Sequence, residues 1–243
     1  MKFSFVILTW NRYKFLEKCI AALLSSISGK YLYEVIIMDN GSTDCTPEIL
    51  EQYKKNENVR IITRNKNYGL KAYKRLFFHA RGEYVVIVDD DVLEFPESLD
   101  TLFLDYMENF KNYGFIALNV IQNEFTDGAK PSIDMYTEET KGDMVIEAGP
   151  TGGWCACFRK RDYNKILFRF LFTKVNMKVG EDGLLSALFW KHLRLKHGLI
   201  KNAYCFHACG PYYAKEYGHL DREIEKYKTS GLDEHVERYK KFE

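Results

Sequence analysis

The sequence has no apolar run long enough to cross a bilayer, which takes roughly 20 consecutive apolar residues. It also lacks an excess of either charge. Thirty-five Lys and Arg stand against 34 Asp and Glu, a net charge of +1, so the basic excess of a generic nucleic-acid binder is missing. No internal repeat, low-complexity stretch or linker-like composition divides the 243 residues, which therefore read as one domain. The start resembles a signal peptide only briefly. Its apolar run, Phe3 to Trp10, breaks at Asn11-Arg12 with no convincing cleavage site, so a first strand is expected instead. Six cysteines without a secretory signal suggest reduced thiols in a cytoplasmic protein.

What is present is an ordinary globular composition, 46% hydrophobic, at a length that supports a substantial core. Tyr and Phe are abundant at 17 each, and such rings pack cores or stack on sugars and bases. The stretch that organises the chain is Tyr84-Val85-Val86-Ile87-Val88-Asp89-Asp90-Asp91. A short continuous apolar run suits a strand buried on both faces. The carboxyl ends of such strands point into the crevice where open α/β sheets bind ligands. Three adjacent carboxylates repel one another and call for a positive group between them. Mg²⁺ or Mn²⁺ takes oxygen ligands and shares them with substrate phosphates. The competing reading is a solvated acidic turn after a strand.

Strand and helix alternate four times before residue 92. Residues 3–9 read as a strand, followed by an amphipathic helix with Phe15, Cys19, Ala22 and Leu23 at helical spacing. Glu34 to Met38 is a second strand that ends in the polar turn Asp39-Asn40-Gly41-Ser42-Thr43-Asp44. A helix carrying Ile49, Leu50 and Tyr53 follows, then a strand from Val59 to Thr63. Asn67-Tyr68-Gly69 opens a helix from about Leu70 to Ala80, which Gly82 stops. This alternation predicts a mostly parallel, Rossmann-like sheet flanked by helices. Right-handed crossovers would align the strand ends 9–12, 39–44 and 89–91 along one rim.

The second half is less regular. A helix near Pro96 carries Leu99, Leu102, Phe103 and Met107, and Phe115 to Leu118 is a strand. Residues 122–143 form a polar loop long enough to be functional. Gly152-Gly153 leads into a strand from Trp154 to Phe158, Glu181-Asp182-Gly183 begins a helix, and Ala203 to Cys209 is extended. From about Leu220 the tail reads as a charged helix with a solvated face. The expected division is two functional halves, about 1–92 and about 93–210, and a helical tail of about 211–243.

The order of these blocks resembles the inverting glycosyltransferases of family 2, which have the GT-A fold. The resemblance runs from Phe3 to about His207. It rests on Val6 to Arg12, Glu34 to Asp44, Asn67-Tyr68-Gly69, Ala80 to Tyr84, Val88 to Asp91 and Gly180-Glu181-Asp182. It implies a nucleotide-sugar donor (UDP-, GDP- or dTDP-linked), transfer of a hexosyl-type sugar with inversion, and a metal bridging the diphosphate. It places Thr9, Asn11, Arg12, Asp39, Asn67, Asp89 and Asp90 with the nucleotide-sugar. It assigns Asp91 as principal metal ligand, with His207 at a metal or diphosphate contact. Asp182, paired with Glu181, is the implied base that takes the acceptor's proton, and Gly153 and Trp154 lie near the acceptor. Competing readings are a turn-forming Asp39, an N-cap role for Asp182, and a core position for Trp154. The sequence departs from the family after Asn67-Tyr68-Gly69, where Lys71-Ala72-Tyr73-Lys74-Arg75 replaces the usual pattern, and Asn40 replaces a second acid.

The acceptor is expected to be a glycan or a lipid-linked glycan, in surface polysaccharide or glycoconjugate synthesis, with no nucleic-acid partner. The location is expected to be cytoplasmic, at the inner membrane face if Leu167-Phe168-Arg169-Phe170-Leu171-Phe172-Thr173-Lys174 touches lipid; a buried segment is the competing reading. Cys155, Cys157, Cys205, His207 and Cys209 supply enough ligands for a zinc site, although their spacing matches no common zinc motif. Two other functions compete. A sugar nucleotidyltransferase would share the sheet and paired acids, but no Gly- and Lys-rich phosphate loop follows the first strand. A non-catalytic nucleotide-sugar-binding protein would bind without turnover.

Overall fold

A computed structural model describes residues 1–127, 130–177 and 180–243. Strands β1 (Phe3–Thr9), β2 (Tyr33–Asp39), β3 (Val59–Thr63) and β4 (Tyr84–Asp89) are parallel in the order β3-β2-β1-β4. Thr9 pairs with Asp39, and Leu8 with Asp89, so the three polar strand ends share one rim as the crossover argument requires. Val85 to Val88 are fully buried, and each side chain of this kind contributes about 1.5–3 kcal/mol when removed from water.

Helices α1 (Tyr13–Ser26), α2 (Thr46–Tyr53) and α3 (Ala72–His79) connect these strands. α1 buries Phe15, Leu16, Cys19, Ile20 and Leu23, the stripe its spacing predicts. Gly82 separates α3 from β4 because nothing larger fits. A Cβ there would lie 2.5 Å from the Ser4 amide nitrogen.

Beyond β4 the chain adds a short strand β5 (Val92–Glu94), helix α4 (Leu99–Asn109) and strand β6 (Tyr113–Val120). Strands β7 (Thr137–Lys141) and β8 (Met144–Ala148) form an antiparallel pair at the far edge of the sheet. The segment 122–143, expected as a loop, thus contains a strand; its residues Gly128 and Ala129 lie outside the described residues. β5 was likewise not legible, because three residues are too short to show a period.

Strand β9 (Cys155–Arg159) lies antiparallel between β4 and β6. Cys155 pairs with Val88 and Arg159 with Tyr84, so β9 starts at the rim and runs away from it. Helix α5 (Lys160–Phe172) then returns. Its first amide donates to the Glu83 carbonyl, and Lys74 at the start of α3 donates to the Leu171 and Thr173 carbonyls at 2.7 Å each. Phe77, Phe158, Tyr163 and Phe170 fill the space between α3, β9 and α5, with Phe77 ring centroids 5.4–5.7 Å from the other three. Edge-to-face and tilted pairs of this kind add to what burial alone provides. Residues 167–172 are therefore the end of a helix, with Thr173 and Lys174 beyond it, and Phe170 is the buried member of the segment.

Helix α6 (Glu181–Leu193) begins at the rim, and strand β10 (Lys196–His207) completes the sheet. β10 pairs parallel with β6 and antiparallel with β8 and β5, with a register shift between Ile200 and Tyr204. The chain ends in α7 (Pro211–Glu216), α8 (Leu220–Thr229) and α9 (Asp233–Lys240). The tail is not simply a solvated face, since Glu223, Val236 and Tyr239 are buried.

Candidate active site

Asp89 ends β4, and Asp90 and Asp91 follow in the tight link to β5. The Asp90 carboxylate accepts from the Thr9 hydroxyl at 2.7 Å and from Arg12 Nη1 at 2.6 Å. Arg12 Nη2 reaches Asp91 at 2.6 Å, so the guanidinium forks across two neighbouring carboxylates. This planar donor geometry is what Arg provides and Lys does not. Arg12 therefore braces the acidic cluster. Asp90 is occupied by Thr9 and Arg12, while Asp89 keeps a third of its side chain open.

His207, at the end of β10, faces the same acids. Its Nε2 is 3.0 Å from Asp91 Oδ1 and 3.7 Å from Asp89 Oδ2. The Ala208 amide donates to the Asp91 carbonyl at 2.9 Å and fixes this approach. Burial opposes charge on His207, but the neighbouring Asp91 and Asp89 carboxylates leave its pKa raised. Burial likewise opposes ionisation of Asp91, and Arg12 and His207 overcome it, holding that carboxyl well below the usual range. Asp89 differs. Burial, joined by Asp91 and Asp90, pushes it up to about 7 despite His207. Asp89, Asp91 and His207 offer one ligand atom each within 4.8 Å of one another. Two carboxylates and an imidazole fit a hard or borderline divalent cation, and the buried His207 Nδ1 has no protein partner.

The turns after β1 and β2 hold each other. Asn11, at φ 51°, receives the Thr43 amide on its Oδ1 at 2.7 Å, and its own amide donates to the Ser42 hydroxyl. Asp39 is buried and accepts the Ser42 amide at 2.9 Å, an Asx-type turn. Asn40 Nδ2 donates to Asn67 Oδ1 at 2.8 Å and Asn40 Oδ1 accepts the Tyr68 amide, which ties the β2 turn to the start of α3. The acid expected in the Asn40 position would lack that donor. Gly41 is required here, at φ +82° with the Lys66 backbone 2.6 Å from a would-be Cβ.

A cavity of about 710 Å³ opens at this rim. Thr9, Arg12, Asn67, Asp89, Asp90, Asp91 and His207 line it, and Asn11 and Asp39 are not among its lining residues. In the stretch that departs from the family pattern, Lys71 and Tyr73 line the cavity and Lys74 is spent on the end of α5. The volume suits a mid-sized polar ligand.

The acceptor-side residues form a second cluster. The Gly153 amide donates to Asp182 Oδ2 at 2.9 Å, and the Gly183 amide to its Oδ1 at 2.6 Å. Burial raises the Asp182 pKa, and these amides restrain the rise. Glu181 is buried beside it, and its own pKa is raised well above the ordinary value, by burial first and then by Asp182 and Asp89. A Cβ on Gly153 would sit 3.2 Å from Glu181 Oε1. Trp154 is 6% exposed, and its indole N–H donates to the Leu118 carbonyl at 2.8 Å. It is a core residue beneath the site. Its carbonyl accepts the Asp89 amide at 2.9 Å, linking the two clusters.

Sequence reasoning missed the third wall. Arg222, Glu223, Lys226, Tyr227, Ser230 and Tyr239 of α8 and α9 line the cavity. Glu223 pairs with Lys226, Arg222 and, at 3.5 Å, Arg12 Nε. Arg222 also donates to the Trp10 carbonyl at 3.0 Å and lies over its ring. Burial opposes the Glu223 charge, yet Lys226, Arg222 and Arg12 hold its carboxyl well below its usual range. Charges spaced three apart read as an exposed helix pair, so the sequence offered no signal. The cysteine constellation does not assemble: among the described residues the group with the geometry to hold a metal is Asp89, Asp91 and His207, and burial raises the Cys155, Cys157 and Cys205 thiols.

Comparison with known proteins agrees with this layout. The family model for glycosyl transferase family 2 matches residues 4–185. Over 195 residues the chain is 39% identical to the poly(ribitol-phosphate) beta-glucosyltransferase of Bacillus spizizenii, covering 76% of this chain but 29% of that one. It therefore spans less than a third of that relative's length. The crystal structure of Staphylococcus aureus TarS 1–349 in complex with UDP-GlcNAc superposes with a TM-score of 0.66 at 16% identity, over 98% of this chain and 71% of that one. The mannosyltransferase PcManGT of Pyrobaculum calidifontis, in complex with GDP-Man and Mn²⁺, gives 0.63 at 15% identity, over 98% and 69%. These two likenesses establish the GT-A type of fold, and the family match over most of the length establishes the rest: the chain belongs to glycosyl transferase family 2.

Proposed function

We propose that the protein transfers a sugar from a nucleotide-sugar to an acceptor hydroxyl with inversion at the anomeric carbon. The observation that carries this reading is the meeting of two clusters at one rim: the Asp89–Asp91–His207 group in the cavity and the Gly153–Asp182 pair at the start of α6. The donor occupies the cavity, with its diphosphate toward Asp89, Asp91 and His207. Those three residues would hold a divalent cation, which would supply positive charge to stabilise the departing diphosphate.

Asp182 takes the proton from the acceptor hydroxyl as that oxygen bonds to the anomeric carbon. The bond from that carbon to the diphosphate breaks, and its electron pair leaves with the nucleoside diphosphate. Burial makes Asp182 a stronger base than an ordinary aspartate, while the Gly153 and Gly183 amides hold its orientation. Arg12 holds the Asp90 and Asp91 carboxylates side by side and in place.

The B. spizizenii relative is named for glucosyl transfer to poly(ribitol-phosphate), which supports a polyol-phosphate polymer as acceptor. UDP-GlcNAc and GDP-Man in the superposed structures support a UDP- or GDP-sugar donor, and the latter supports Mn²⁺. Calorimetry with UDP and GDP, with and without Mn²⁺, tests the donor half. One nucleotide should bind in a Mn²⁺-dependent way. Asp91→Ala should weaken that binding by at least about tenfold, the low end for losing even an outer-shell partner of a metal. Absence of binding by either nucleotide would overturn the reading.

A further inference from the structure

Helix α5 leaves an apolar face without a partner among the described residues. Phe168 is 73% exposed, Leu171 36% and Phe172 87%, and at spacings of three and four they lie side by side. Their opposite face is not the explanation, because Tyr163, Ile166 and Phe170 already fill the core there. Lys165 and Arg169 flank this face, both exposed, and Lys174 follows the helix. The one acid on α5, Asp162, is buried and paired. At the same end of the molecule, Arg75 on α3 and Lys71 just before it are exposed. We infer that this face of α5 docks on an anionic lipid bilayer, with Phe168, Leu171 and Phe172 entering the headgroup region.

Aromatic and aliphatic side chains on one face of a helix, with Lys and Arg around them, are what interfacial binding to anionic lipid requires. A second copy of this chain is a poor occupant, since a two-fold contact would set the same cations against each other. The position has a consequence. α5 returns to the rim, and Asn176 and Met177, just past Phe172, line the cavity. A bilayer met by Phe172 would lie beside the cavity mouth. The inference stands on exposure and charge and does not depend on the catalytic reading.

Sedimentation with vesicles of phosphatidylcholine, with and without phosphatidylglycerol, tests it. The protein should bind the phosphatidylglycerol vesicles, release at high salt, and ignore phosphatidylcholine alone. The double variants Phe168→Ser/Phe172→Ser and Arg169→Glu/Lys174→Glu should each lose about tenfold or more in partitioning, with unchanged circular dichroism. Failure of the unaltered protein to bind, or binding that neither variant reduces, would overturn the inference. So would sedimentation equilibrium showing a dimer that the phenylalanine variant dissociates.

Discussion

Glu223 on α8 lies 3.5 Å from Arg12 Nε, while the other two nitrogens of that guanidinium hold Asp90 and Asp91. The acidic cluster is thus braced from β1 by Arg12, and Arg12 from the C-terminal helices by Glu223. Glu223→Gln leaves Arg12, Arg222 and Lys226 short of a counter-charge. Breaking a buried pair of this kind costs about 3–5 kcal/mol, so Tm should fall clearly. Adding Lys226→Met removes one unmatched cation and should recover part of the loss, a coupling read from a double-mutant cycle. Equal and additive losses would show that Glu223 is merely packed there.

Asp182→Asn should lower turnover by roughly 10²–10⁴ while leaving nucleotide affinity unchanged. The pH profile carries a sharper signature. The base acts deprotonated and burial raises its pKa, so kcat/KM should fall with decreasing pH from a point above the ordinary aspartate range. Stopped assays across the acid range would reveal that limb.

Gly153→Ala tests how the base is held. The new methyl would meet Glu181 Oε1 at 3.2 Å and Asp182 Cβ at 3.3 Å, closer than most contacts. Asp182 must shift or lose the Gly153 amide. A misplaced catalytic group can cost on the order of 10² in rate, and donor binding should be spared.

His219, buried against Phe15, supplies a stability prediction. Burial, then Arg12 and Arg222, depress its pKa from 6.5 to about 4. The unfolded chain therefore binds the proton more readily, and stability falls as pH drops from 6.5 toward 4, by up to about 3 kcal/mol. Urea unfolding at a series of pH values should show this slope, and His219→Phe should flatten it.

Much of the rim was legible before the structure. Buried parallel strands write themselves as unbroken apolar runs, and Tyr84 to Asp91 marked both a strand and the end that carries the acids. The Gly180-Glu181-Asp182 block marks Asp182 as a candidate, and the bond it accepts from the Gly153 amide gives Gly152-Gly153 in front of β9 a physical reason. Arg12 and Asp90 were placed with the nucleotide, yet they bind each other first, because pairing across 78 residues leaves no local trace. Trp154 was placed near the acceptor, and its indole N–H is committed to Leu118 in the core. Glu223 was hidden for the same reason as Arg12: spacing on a helix reveals faces, but not what a face will meet.

The central claim is turnover at this rim, and the direct measurement is nucleoside diphosphate release from a panel of nucleotide-sugars with Mn²⁺ or Mg²⁺. Slow donor hydrolysis needs no known acceptor. Release is expected from one donor, lost with chelator and in Asp91→Ala. Release from no donor by a protein that still binds nucleotide in a Mn²⁺-dependent way would contradict it and leave a binding protein in its place.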